Sequence, residues 1–291
     1  MGFVIPLATF FANRLKDKDV VFISIGFVLL SLLFGIYSII FSSRFGFGLT
    51  SYHWPAIVSS ISFLLLLYNF TLRRSIFFIP IMAINIHVIS ISFAEQSIPI
   101  LLAGFLIISI SKLSQKNAIS FLILLITVLV ASTFLFNLLD FGTFGYVLSK
   151  LTNSDGIEAI LGDRFSIYSL ALNTLIDNVF LGIGFGQFET EFTRIGRYPH
   201  NIFLSVWLSF GLIGFLIFFY YLVKVIFTLL FTKNSNRQYS DMLLIIFSCF
   251  FVSSLFSGDI IGYRGHWFLF FMLYSFYNRS YSNLFRISKK C

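Results

Sequence analysis

Reactive side chains are sparse in this chain and gather in one tract, residues 181–201, which reads LGIGFGQFETEFTRIGRYPHN. His200 can take up a proton, and Arg194 and Arg197 can bind phosphate through paired N–H donors. Asn201 is a good N-cap for the apolar helix expected from Ile202 onward, which sets His200 just before the positive end of a helix dipole. That position disfavours imidazolium and favours the neutral imidazole a general base needs. A loop histidine that only hydrogen-bonds its neighbours accounts for His200 equally well at this stage. Arg164 lies upstream on the same loop, and Arg264 with His266 lies in a short later one. A lone arginine is by default solvated or snorkelling. Four of them in a chain with few charges would suit a pyrophosphate held at a membrane surface.

Other chemistries fit poorly. Gly182, Gly184 and Gly186 form G-x-G-x-G, which is neither the dinucleotide fingerprint nor, lacking G-K-[ST], a P-loop. They read instead as a helix C-cap and tight turn, with Gly182 ending the preceding helix. The four histidines are isolated, with no H-E-x-x-H and no Cys/His cluster, so no metal site is expected. A G-x-S-x-G elbow is missing as well. His87, inside an apolar run, is a functional candidate by position, although a hydrogen bond to a neighbouring helix explains it too. His53 reads as interfacial, and Glu95 and Asp140 as pairing partners or span flanks.

Stepping out from the tract, the elements around it must be membrane helices. Hydrophobic residues make up 58% of the 291 and charged residues 11%, more apolar surface than a soluble core can absorb. Apolar runs over residues 20–41, 54–70, 75–93, 98–111, 118–139, 201–223, 242–256 and 267–277 give an all-α, polytopic integral membrane protein of about eight transmembrane helices. Residues 1–13 are a candidate ninth; they lack the basic start and small-residue cleavage site of a secretory signal. Of 20 Lys and Arg, the 14 at positions 14, 16, 18, 73, 74, 112, 116, 224, 233, 237, 279, 286, 289 and 290 fall on alternate loops. Those loops are therefore cytoplasmic, and the net charge of +8 reports topology rather than a nucleic-acid partner. Cys249 lies in an apolar run and Cys291 at the end, so no disulfide is expected.

The organisation that follows is an N-terminal transmembrane bundle over 1–140, one long extracytoplasmic loop over 141–200, C-terminal helices over 201–278 and a basic cytoplasmic tail over 279–291. Within the loop, residues 164–180 carry Phe165, Tyr168, Leu172, Leu175, Ile176 and Val179 at steps of three and four. Ser166, Ser169, Asn173, Asp177 and Asn178 mark the other side, so an amphipathic helix at the membrane surface is expected.

Taken in order, Asp163-Arg164, LGIGFGQF and PHNIFLSVWLSFGLIGF resemble the O-antigen ligase and Wzy-type polymerase family. Members show an Arg opening an amphipathic helix, a G-x-G-x-G-x-F turn, and His-Asn leading into a helix with G-x-x-G; here these are Arg164, residues 182–188, His200–Asn201 and Gly211–Gly214. The resemblance implies a metal-independent glycosyltransferase in a bacterial inner membrane, its site facing outward and its C-terminus cytoplasmic. It would need no cofactor and act on glycans carried by undecaprenyl pyrophosphate, alongside a chain-length regulator and a flippase. Polymerisation of repeat units is the leading activity, transfer to lipid A–core the close second, and a lipid-linked oligosaccharide transporter the alternative of another class. His200 and Arg164 would be catalytic, with Arg194, Arg197, Arg264, Asn201 and His266 binding substrate. One motif departs: the family's Ser-Arg pair before the long loop is replaced by SISFAEQSIPI, with Glu95 and no arginine. Either Arg44, Arg194 or Arg264 takes that place, or the donor is bound differently.

Overall fold

A computed structural model describes residues 17–41, 53–92, 96–112, 163–192, 198–231 and 237–257. The expected spans at 118–139 and 267–277 lie outside these residues, as do Glu95, Asp140, Arg194, Arg197, Arg264 and His266. Seven α-helices are described, with no strand among them: α1 Asp17–Phe41, α2 His53–Arg73, α3 Phe78–Ile91, α4 Ser97–Lys112, α5 Asp163–Asp177, α6 Ile202–Phe231 and α7 Arg237–Ser257. A single π-helical turn, Phe188–Phe192, lies between α5 and α6. Helices α1, α2, α6 and α7 are long and apolar enough to cross a membrane, and α3 and α4 are shorter apolar helices. The described residues are all-helical, as a polytopic membrane protein requires, and each expected span among them coincides with a helix.

The chain divides into two compact units. One comprises residues 17–160 and 236–253 and contains α1–α4 with most of α7. Helix α2 is its interior element: residues 55–68 are buried throughout. Helix α1 leaves Phe22, Leu29, Leu33 and Ile40 exposed along one side, as a helix facing acyl chains must. Small residues let the helices approach. A side chain at Gly104 of α4 would run into Leu64 of α2, and one at Gly35 of α1 into Ile84 of α3.

Hydrogen bonds between helices supply the specificity that uniform apolar packing lacks. Ser62 Oγ on α2 accepts from both Ser31 Oγ on α1 and Asn85 Nδ2 on α3, each at 2.9 Å, and all three residues are fully buried. At the other ends of the unit, Tyr68 Oη donates to Asp241 Oδ2 at 2.8 Å and Ser253 Oγ to Gln96 Oε1 at 2.9 Å. His87 sits half-buried on α3 beside this network in sequence.

Loss of the Asn85 amide should therefore cost stability where loss of a neighbouring hydroxyl does not. Asn85→Ala is expected to destabilise by about 1 kcal/mol, the size of a buried interhelical hydrogen bond. Ser59 Oγ is buried with no hydrogen-bond partner, so Ser59→Ala should be neutral or slightly stabilising. Thermal unfolding of both variants in detergent micelles checks the contrast.

Candidate functional site

The second unit comprises residues 161–235 with the chain ends on either side, and it holds the tract of reactive residues. Helix α5 begins at Asp163-Arg164 and ends at Asp177, three residues earlier than the amphipathic pattern suggested. Its inward face is Ile167, Ala171, Thr174 and Leu175, all buried. With Phe188 and Leu208 these apolar side chains form one cluster, flanked by Leu170, Ile183 and Trp207. Leu172 and Ile176, on the apolar side that the spacing marks, are exposed. The helix has three faces rather than two: a packed one, a bare apolar one, and a polar one carrying the exposed Ser166, Ser169, Asn173 and Asp177.

The glycine turn behaves as its spacing implied. Asn178 N donates to Leu175 O at 3.0 Å and Gly182 N to Asn178 O at 2.9 Å, closing the end of α5. Gly182, Gly184 and Gly186 all have positive φ, so the repeat bends the chain sharply. Phe188, the aromatic that closes the G-x-G-x-G-x-F pattern, is buried in the cluster between α5 and α6.

What the sequence did not reveal is the partner of that turn. Helix α6 breaks at Gly211, whose φ of 65° and ψ of −171° are non-helical. In an unbroken helix Leu212 N would donate to Leu208 O. Here Ile183 N takes Leu208 O at 2.7 Å, and Leu212 N turns to Val179 O at 2.8 Å. Val179 O accepts a second bond from Trp207 Nε1 at 3.1 Å. The turn is thus stitched backbone to backbone into the gap of the broken helix. Neither Gly182 nor Gly211 has room for a side chain: a Cβ on the first would meet Leu208 O, and one on the second would meet Phe180 O.

At its start α6 is capped as expected. Asn201 Oδ1 accepts from Phe203 N at 2.9 Å and Leu204 N at 3.3 Å, and its carbonyl accepts from Ser205 N at 2.9 Å. Its amide nitrogen lies 3.4 Å from Leu255 O. His200 stands immediately before this cap with φ of 52°, a left-handed conformation that costs an L-residue about 1–2 kcal/mol. Pro199 beside it is buried, and the Tyr198 ring packs at 4.2 Å from the imidazole, tilted by 42°. A half-buried histidine is therefore held by its backbone and by a ring at the entrance of a helix.

Of the expected site residues, His200 and Asn201 are placed side by side at the head of α6, and Arg164 is the second residue of the helix packed against α6. Arg194, Arg197, Arg264 and His266 fall outside the described residues. Sequence reasoning named Val179 and Gly211 but missed the break at Gly211 and the parts that Val179, Trp207 and Leu208 play in it. The signal was Gly211 followed by Gly214, and glycine is too common in membrane helices for that pair to announce a break.

Two substitutions separate the stitch from its accessory bond. Gly211→Ala combines a strained φ with a backbone clash and should cost about 3 kcal/mol or more. Trp207→Phe keeps the ring and removes one donor from a carbonyl that retains another, so it should cost about 1 kcal/mol. Thermal denaturation of the purified protein measures both.

No curated protein and no solved structure matches the chain. Residues 91–219, which include Arg164, the glycine turn, His200–Asn201 and the Gly211 break, match the family described as O-antigen ligase, the family whose ordered motifs the chain carries.

Proposed function

We propose that this chain is an integral-membrane glycosyltransferase that polymerises oligosaccharide repeat units carried on undecaprenyl pyrophosphate. An activity of the O-antigen ligase and polymerase type, on lipid-linked glycans, follows from the family. The observation that carries the finer reading is His200: a histidine in a costly backbone conformation, ahead of a capped helix, with Arg194 and Arg197 close before it in sequence. Strained backbone persists where surrounding structure over-determines it, and such positions cluster at functional sites.

In this reading an acceptor sugar hydroxyl attacks the anomeric carbon of the donor. The new C–O bond forms as the bond to pyrophosphate breaks, and the electron pair leaves with the lipid pyrophosphate. His200 takes the hydroxyl proton. Arg164, with Arg194, Arg197 and Arg264, balances the charge on the departing pyrophosphate, while Asn201 and His266 bind sugar hydroxyls nearby. Guanidinium groups supply the positive charge, so the chemistry requires no metal ion. The site faces outward and the C-terminus lies in the cytoplasm, as the charge bias of the loops implies, and the membrane is the bacterial inner one, as the resemblance to the O-antigen ligase and polymerase family implies.

A second reading, transfer of finished glycan to lipid A–core, is favoured by the description of the matching family as a ligase. A transporter is disfavoured. The polar groups released by the α6 break are taken up by Ile183 N and Val179 O, leaving them unavailable to a solute.

His200→Ala and Arg164→Ala should each lower glycan product by about 100-fold or more while the protein still inserts. His200→Gly sharpens the test, because it relieves the left-handed strain: stability should hold or rise by about 1 kcal/mol as activity disappears. Wild-type turnover of lipid-linked donor by purified His200→Gly protein would sink the catalytic role. Expression in a strain lacking its own polymerase separates the two activities. Restoration of a ladder of chain lengths identifies a polymerase; failure there, with rescue of a ligase-deficient strain that accumulates unattached polymer, identifies a ligase.

A further inference from the structure

In the unit built on α2, three buried polar atoms lack a hydrogen-bond partner where α2, α4 and α7 meet: Ser60 Oγ, Ser97 Oγ and Gln96 Nε2. Their residues are 0%, 0% and 3% exposed. A serine buried in a helix commonly avoids this state by turning its hydroxyl to a carbonyl three or four residues earlier. Ser24, Ser31, Ser38, Ser90 and Ser92, all buried in the same unit, do so at 2.7–2.8 Å. Ser60 and Ser97 do not.

The packing brings the three atoms together. Helix α7 runs antiparallel to α2: Asp241 near its start bonds Tyr68 near the end of α2, and Phe250 meets Trp54 at the start of α2, 6.2 Å between ring centroids. Ser253, about one turn past Phe250, donates to Gln96 Oε1. Helix α4 therefore starts beside the start of α2, and the two run the same way. Their register is set where Leu64 occupies the space beside Gly104. Ser60 lies four residues before Leu64 and Ser97 seven before Gly104, spacings that keep both on the contacting faces. The two serines then differ by about 5 Å along the helices. Gln96 completes the group. Its carbonyl accepts from Ile100 N at 3.2 Å and its Oε1 is held by Ser253, which leaves Nε2. Turning the amide over would only exchange which end lacks a partner.

We propose that Ser60, Ser97 and Gln96 bind an ordered water inside the helix bundle. None of the three groups is charged, so nothing in them offsets the desolvation of an ion. Burial on all sides leaves no room for a sugar or a lipid headgroup. A water that accepts from the Gln96 amide and shares protons with the two hydroxyls has three partners, the usual number for a buried water. Bulk solvent does not reach such groups in a membrane, so a bound molecule is what satisfies them.

Alanine substitution reads the water through the sign of its effect. A buried hydroxyl without any partner is better removed, so a dry site predicts that Ser60→Ala and Ser97→Ala leave the unfolding temperature unchanged or raise it, as expected for Ser59→Ala. With the water bound, each should lower it by a few degrees. The double variant should fall no further than the more harmful single, because either change already dislodges the same molecule. Thermal unfolding of the full chain in detergent micelles measures all three. X-ray radiolytic footprinting adds a readout independent of stability, since an ordered water yields hydroxyl radicals in place. Ile57 and Ile100, buried one turn from the two serines, should be oxidised in the native protein and much less in the double variant. Ile108, buried two turns further along α4, should stay unlabelled in both. Unchanged or raised unfolding temperatures in both single variants, additive losses in the double variant, or no oxidation at Ile57 and Ile100 would overturn the site.

Discussion

One divided hydrogen bond organises the candidate site. The Leu208–Leu212 bond of α6 is opened at Gly211, and the two groups it frees are taken by Ile183 and Val179 from the turn after α5. In water such an exchange would matter little, since solvent satisfies open groups. In a helix that crosses hydrocarbon each unpaired backbone group costs several kcal/mol, so break and turn are mutually obligatory. Neither Gly182 nor Gly211 can carry a side chain, because the α6 backbone at Leu208–Gly211 fills the space of the first Cβ and the turn backbone at Phe180–Leu181 fills that of the second.

The rest of the unit follows from that junction. Because the turn is pinned, α5 leaves it in a fixed direction, and Ile167, Ala171 and Leu175 reach Leu208 and Phe188. At the other end Asn201 closes α6 with two backbone bonds. The helix that begins at Asp163 and the helix that begins at Ile202 are thus one packed pair, held by an apolar cluster and a backbone stitch.

Much of this was legible in the residues, and the exceptions have a physical cause. The apolar runs marked the helices, because hydrocarbon imposes length and composition directly. The Asn201 cap and the Gly182 turn were legible because each is local: the signal and the bond it makes lie within a few residues. The Gly211 break was not, because it depends on a partner about 30 residues away in sequence and leaves hydropathy unchanged. Periodicity finds apolar residues but does not say whether protein or lipid covers them, so the division of the apolar side of α5 into a packed face at Leu175 and an exposed one at Leu172 and Ile176 was not legible. The buried network of Ser31, Ser62 and Asn85 was also invisible, since serine and asparagine in a membrane helix say nothing of their partners until the helices pack.

The conformation of His200 is best understood as a result of what surrounds it. A buried proline precedes it and a residue committed to two cap bonds follows it, so the chain must turn sharply at the residue between. Glycine would make that turn at no steric cost, and the chain uses glycine freely nearby at 182, 184 and 186. A histidine at this one left-handed position costs about 1–2 kcal/mol that glycine would not. Packing against Tyr198 at 4.2 Å recovers part of this, yet a tyrosine–histidine contact is available in many less strained arrangements. The feature that strain alone provides is a fixed imidazole at the mouth of a helix, with its backbone unable to relax. Fixed placement of that kind is what proton transfer rewards, since misplacement by about 1 Å can cost a factor of about 100 in rate.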